Sequence, residues 1–173
     1  VLVVAITSNR GLCGAFNSNI IKEVNRLTKL TYANQNVSYI AIGKKANDAF
    51  KKTNKVVANK SGVFDDLTFD NVAEIAQMLM DKFVAGEFDK IEIVYNKFKN
   101  AATQIVTTEQ FLPIVPVEGS TNNNSDYIFE PSKVEIVEQL IPKSLKTQLY
   151  KGIRDSFASE HGARMTAMHK ATD

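Results

Sequence analysis

The sequence predicts an α/β domain with a mostly parallel sheet, a β-hairpin and a long C-terminal helix. Three observations carry that expectation. "VLVVAI" at the N-terminus is a continuous apolar run of the kind buried on both faces of a parallel sheet. Strand and helix periodicities alternate over the first half of the chain. From Pro131 to Asp173 the pattern is helical throughout.

The first unit is a strand, a helix and a strand. After "VLVVAITS", the residues Phe16, Ile20, Val24, Leu27 and Leu30 recur at helical spacing, predicting a helix of about five turns. "VSYIAIG" follows as a second buried strand, completing a βαβ unit whose crossover is expected to be right-handed. A short helix is expected at "KKANDAFKKT". Val72, Ile75, Ala76, Leu79 and Phe83 form a further amphipathic helix, with Asn71 and Glu74 as its expected cap and Gly86 as its stop.

"DKIEIVY" and "TQIVTTEQFLPI" read as two strands separated by "NKFKNAA". That gap is too short for a parallel crossover, so an antiparallel hairpin is expected. "EGSTNNNSD" (118–126) reads as a polar, mobile loop, and "YIFEP" as a further strand. In the C-terminal segment Val134, Val137 and Leu140 lead to Pro142, which should kink or divide the helix. Leu145, Leu149, Ile153, Phe157, His161 and Met165 then recur every four residues. Such a stripe drifts roughly 40° per step, so its two ends should face different neighbours. The stretch from Lys143 onward would measure roughly 46 Å as a helix, against a domain roughly 36 Å across. Its distal turns, with Met165 and Met168, are expected to outrun the domain and to need a partner. The domain division expected is therefore 1–131 and 132–173. The ends fall inside elements, which suggests a piece of a longer protein.

Composition narrows the function classes. With 44% hydrophobic and 23% charged residues, the 173-residue chain reads as an ordinary soluble domain. No apolar run approaches the length of a bilayer span, and "VLVVAI" lacks the flanks of a signal peptide. One cysteine excludes an internal disulfide or a zinc cluster. The segment from Lys143 to Asp173 carries six Lys/Arg against three acids, leaving the remainder at −1 of the net +2. A modestly basic arm suits an acidic protein surface or a nucleic acid. Its charge density is low, which favours the protein and predicts no nucleic-acid partner.

The turn "TSNRGLCGAFNSN" occupies the strand-to-helix position where phosphates bind. It offers only Gly11 and Gly14, matching neither G-x-G-x-x-G nor a Gly-Lys-Ser/Thr ending. No acidic residue closes the next strand to hold a ribose. The glycines are expected to shape a turn, with Asn17 or Ser18 capping the helix. Cys13 lacks a nearby histidine base, since His161 and His169 lie on the protruding helix and would have to fold back. The eight-residue spacing of those histidines is not that of a helical metal pair. No catalytic, cofactor or metal site is expected. Gly162, in mid-helix, suits a place where another backbone approaches closely. The alternative reading is a free-standing α/β nucleotide-binding or enzymatic domain using the Gly11–Gly14 turn.

Two separated stretches resemble one family. "ITSNRGLCGAFNSNI" (6–20) and "ASEHGARMTAMHKATD" (158–173) are similar to the two signature segments of the gamma subunits of the rotary, proton-translocating ATP synthase. "YIFEPS" and "LYKGIRDSFASE" fit as well, so the resemblance spans the chain in order. It departs from the usual pattern at Asn9, Ala15, His161 and Gly162. The resemblance implies a three-layer, Rossmann-like sandwich followed by a helix belonging to an antiparallel coiled coil. It implies a non-catalytic central-stalk rotor without cofactors, coupling proton flow to ATP synthesis or hydrolysis. The partners implied are the alpha and beta subunits of the catalytic head, the epsilon subunit and the membrane ring of c subunits. The location implied is peripheral, on the cytoplasmic face of a bacterial plasma membrane. Arg164, Met165, Met168 and Lys170 are implied to lie on the shaft near the catalytic subunits. A single Cys13 argues against the regulatory cysteine pair of the photosynthetic branch.

Overall fold

The computed structural model describes residues 1–53, 55–115 and 132–173. The elements run β1 (Leu2–Ile6), α1 (Phe16–Arg26), β2 (Ser38–Ile42), α2 (Lys44–Phe50), β3 (Val56–Asn59), α3 (Phe69–Val84), β4 (Ile91–Asn100), β5 (Thr103–Leu112) and α4 (Lys133–Thr172). The expected loop at 118–126 and the expected strand "YIFEP" lie outside the described residues.

Five strands form one sheet in the order β3-β2-β1-β4-β5. β1 pairs in parallel with both β2 and β4, β2 pairs in parallel with β3, and β5 closes the sheet antiparallel to β4. Central placement explains the unbroken apolar run of β1. Leu2, Val4 and Ile6 join one core with α3 and α4, while Val3 and Ala5 join a second with α1 and α2. The alternation of side chains along a strand thus feeds two helical layers, and the sandwich has three layers.

Four local expectations require correction. The first helix does not continue as α-helix to Leu30: residues Leu27–Thr31 form a π turn closed by the Tyr32 amide on the Leu27 carbonyl, at 2.9 Å. The wider turn shifts the apolar line, burying Tyr32 and leaving Leu30 exposed. Helix α3 is capped by Thr68, whose hydroxyl accepts from the Asn71 amide; Asn71 itself reaches back to Asp66 and Glu74 takes no part. Its end matches expectation, with Gly86 at φ 74° and the Gly86 and Glu87 amides closing on the Phe83 and Lys82 carbonyls. "NKFKN" is not a gap, because β4 continues through it to Asn100 and only Ala101 and Ala102 separate the strands. Pro142 does not divide the C-terminal segment either. Helix α4 runs 40 residues through it from a Ser132 cap, in a stretch where Val137, Leu140 and Ile141 are exposed.

The fifth correction concerns the face of α4. The buried line follows Leu145, Leu149, Ile153, Ser156, Ser159, Glu160 and Ala163, a true 3.6-residue repeat. The four-residue stripe drifts off it, so Phe157 is only half-buried while His161 and Met165 are exposed. Small residues carry the distal half of the contact, where no apolar signal marks it.

Candidate functional site: the glycine turn against the long helix

The sheet reverses its direction of winding between β1 and β4, the position where open α/β sheets bind ligands beyond their strand ends. In this chain that crevice is filled. Past its last pairing with β1, at Ala5 and Val94, strand β4 runs on to Asn100. Asn96 is buried there and donates its side-chain amide to the Phe16 carbonyl, at 3.1 Å. Helix α4 lies across the same region. Ser159 donates to the Asn96 carbonyl at 3.1 Å.

The turn after β1 is held by its own polar groups. The Asn17 carboxamide oxygen accepts from the Ser8 amide at 2.9 Å, and its nitrogen donates to Ser8 Oγ at 2.8 Å. Ser18 bonds the Ala15 carbonyl. Neither side chain caps α1, whose N-cap is Ala15 without a side-chain bond; this corrects the expected cap. Gly14 takes a left-handed conformation at φ 57°, and the other left-handed residue of the turn is Leu12, at φ 61°. Gly11 does not. Its carbonyl instead faces α4.

The first turn of α2 is also occupied. The Lys44 amide donates to Asn9 Oδ1, the Lys45 amide to the Ser8 carbonyl and the Ala46 amide to Thr7 Oγ1. These N–H groups are the ones a phosphate would use at a helix start. Gly43 sits at φ 112° against Thr7, where a Cβ would fall 2.2 Å from the Thr7 carbonyl oxygen. The tight approach lets β1's exit cap the neighbouring helix.

Cys13 is buried with Phe16 and Ala163. Its sulfur accepts from Asn17 Nδ2 at 3.1 Å and lies 3.8 Å from Ser8 Oγ. His161 stands exposed, edge-on to Phe157 at 4.6 Å between ring centroids. The expectation that His161 lies on the protruding part of the helix is corrected: α4 lies against the glycine turn as far as Arg164. The Arg164 guanidinium donates from Nε and Nη2 to the Gly11 carbonyl, at 3.4 Å each, and from Nη2 to Glu160 at 2.6 Å. A cleft of about 250 Å³ beside it places Arg10 and Arg164 against Asp65 and Glu160, so its charges balance internally. Met165, Met168 and Lys170 are exposed beyond this contact.

Gly162 meets the expectation of close backbone approach. A Cβ there would stand 2.8 Å from the Ala101 carbonyl oxygen at the hairpin tip. Earlier on α4, Gly152 faces the Tyr95 ring, where a Cβ would stand 3.7 Å from the ring carbons. The Tyr95 hydroxyl donates to Glu109 at 2.7 Å; burial first, then the Glu109 carboxylate, push its pKa well above the usual tyrosine range. Sequence reasoning missed Asn96, Ala101 and Ser159. The run of small residues Gly152, Ser156, Ser159 and Ala163 at 4-3-4 spacing was the available signal.

No helix among the described residues is long and apolar enough to cross a membrane. The described residues contain no cluster of His, Cys, Asp or Glu fit to hold a metal.

Comparison with known proteins places this arrangement. Similar solved structures include the central stalk and c-ring of the Tetrahymena thermophila mitochondrial ATP synthase, at TM-score 0.77 and 24% identity over 99% of this chain and 76% of that one. The rotor of the Euglena gracilis enzyme gives 0.72 at 21% identity, covering 99% and 66%. At such identities they establish the fold. Among relatives named ATP synthase gamma chain, that of Flavobacterium psychrophilum is 72% identical over 100% of this chain, and that of Flavobacterium johnsoniae is 68% identical. The chain spans 60% of the length of each. The family model described as ATP synthase matches residues 1–173. With the two signature segments in contact at Gly11 and Arg164, and the whole sequence matched, the chain belongs to the ATP synthase gamma-chain family.

Proposed function

We propose that this chain is the globular domain and part of the shaft helix of a central-stalk rotor. In that role it carries no chemistry. Proton flow through a membrane ring of c subunits turns the domain, and α4 transmits the rotation to the catalytic sites of the alpha and beta subunits. The domain's other partner is the epsilon subunit. The complex sits peripherally on the cytoplasmic face of a bacterial plasma membrane.

The observation that best supports the reading is the division of labour along α4. Its middle, from Leu145 to Ala163, is buried in the domain, while Met165 and Met168 beyond it are exposed. Flexible, polarizable methionines suit an interface whose contacts change as it turns. Arg164, Met165, Met168 and Lys170 form the proposed contact with the catalytic head, Arg164 from the edge of the domain. Alanine at all four positions in the reconstituted complete complex tests the assignment. The reading expects ATP hydrolysis to persist while ATP-driven proton pumping falls. Unchanged pumping per ATP hydrolysed removes these residues from the coupling interface. The competing nucleotide-binding reading has little support, because Asn96 occupies the crevice beside β1 and α4 lies across it through Ser159.

A further inference from the structure

The outer half of the hairpin has no evident place in the sheet. Strand β1 stops at Ile6, yet β4 and β5 continue paired to Asn100 and Thr103. Residues 91–96 of β4 are buried and 97–100 are exposed. A ribbon projecting past its sheet is marginal unless something packs on it. At its tip the described neighbour is α4.

The contact is made backbone to backbone. Gly162 presents a bare Cα to Ala101, and a side chain there would overlap both the Ala101 carbonyl oxygen, at 2.8 Å, and its Cα, at 2.9 Å. That same carbonyl accepts from Thr166 Oγ1 at 3.3 Å and from Gln104 Nε2 at 3.1 Å. Lower on the helix, Ser159 holds the Asn96 carbonyl and Gly152 packs on Tyr95. The ties from Gly152 to Thr166 extend along roughly 20 Å of helix. On the opposite flank, Arg164 grips Gly11. A helix held from two sides at once can neither roll about its axis nor swing away.

We infer that the projecting hairpin is a brace for the shaft helix, with Gly162 as its seat and Ala101 as its bearing point. The inference rests on the rotor reading and adds to it the place where torque passes between domain and shaft. The brace is static. Ala101 keeps its contacts with Gly162 and Thr166 through the whole rotary cycle, so hairpin and helix turn as one body.

The test uses the complete ATP synthase carrying Ala101→Cys and Thr166→Cys in this subunit, with each single variant as control. A mild oxidant joins the two thiols as a disulfide, and dithiothreitol releases it. The brace predicts that the disulfide forms in the assembled enzyme. It predicts no loss of ATP hydrolysis or of ATP-driven proton pumping relative to the reduced enzyme. Loss of either activity on oxidation, restored by reduction, shows that hairpin and helix must separate during turnover and overturns the brace while leaving the rotor intact. Failure of the disulfide to form also overturns it, since the two segments are then not neighbours in the working complex. Failure of the rotor reading registers differently: the reduced double variant and its parent would then show hydrolysis without coupled pumping.

Discussion

The Arg164 guanidinium and the Gly11 carbonyl meet at 3.4 Å across 153 positions of sequence. Glu160, on the same face of α4, holds the guanidinium at 2.6 Å. The two signature segments of the chain are thereby one structural unit. Arg164→Gln keeps a hydrogen-bonding group but loses the charge and the planar fork that serves both partners. It should lower stability by about 1–2 kcal/mol, read as a shift of the urea midpoint at constant slope.

Gly162→Ala tests the seat of the hairpin by the sign of its effect. At an exposed mid-helix site the change should stabilise by about 1 kcal/mol through helix propensity. Here the new Cβ meets backbone at Ala101, which cannot rotate away as a side chain can. Net destabilisation is expected in denaturant titrations, with Gly162→Val worse than alanine. A stabilised alanine variant would mean that the hairpin tip yields freely.

Gly43→Ala should be the most damaging small substitution. It combines a left-handed φ of 112° with a Cβ placed 2.2 Å from the Thr7 carbonyl. Each defect alone costs on the order of 1–3 kcal/mol, so together they should approach the whole stability of a domain this size. Loss of soluble folded protein, seen by circular dichroism, is the expected outcome.

Tyr95 links stability to alkaline pH. Its folded pKa is raised by burial and by Glu109, whereas an unfolded tyrosine titrates near about 10. Above that value the unfolded chain releases a proton that the folded chain retains. The stabilising contribution is therefore complete below about pH 10 and declines as pH rises further. Tyr95→Phe should show a flatter loss of stability than the parent between about pH 10 and 11.5, followed by denaturant melts at each pH.

Nucleotide binding should be absent. ATP, ADP and dinucleotides should give no saturable heat in calorimetry, because the crevice beside β1 is occupied by Asn96 and crossed by Ser159 of α4. Micromolar binding lost on changing Gly11 and Gly14 would restore the enzyme reading.

The parts of this fold legible in the sequence are those written in local periodicity. Strands β1 and β2, helix α3 with its Gly86 stop, and the antiparallel hairpin follow from apolar spacing and gap length alone. The illegible parts depend on distant partners. Thr7 and Asn9 cap a helix that begins 35 residues after Asn9, so no neighbouring motif announces them. Leu30 belongs to the apolar pattern but falls off the core because the backbone widens into a π turn before it. Along α4 the apolar stripe pointed toward His161 and Met165, while the actual contact runs through Ser156, Ser159 and Gly162, whose value lies in being small. Gly162 betrayed that contact, since a glycine in mid-helix needs a reason, and the 4-3-4 run of small residues was its second signal.

The central claim is that this domain turns as one body with its shaft helix. A bead attached at Lys52→Cys, on the exposed turn after α2, in the complete enzyme immobilised through its catalytic head, measures it directly. On adding ATP the bead should rotate in one direction and stop when ATP is removed. Steady ATP hydrolysis with the bead showing only diffusive motion about a fixed angle would contradict the account.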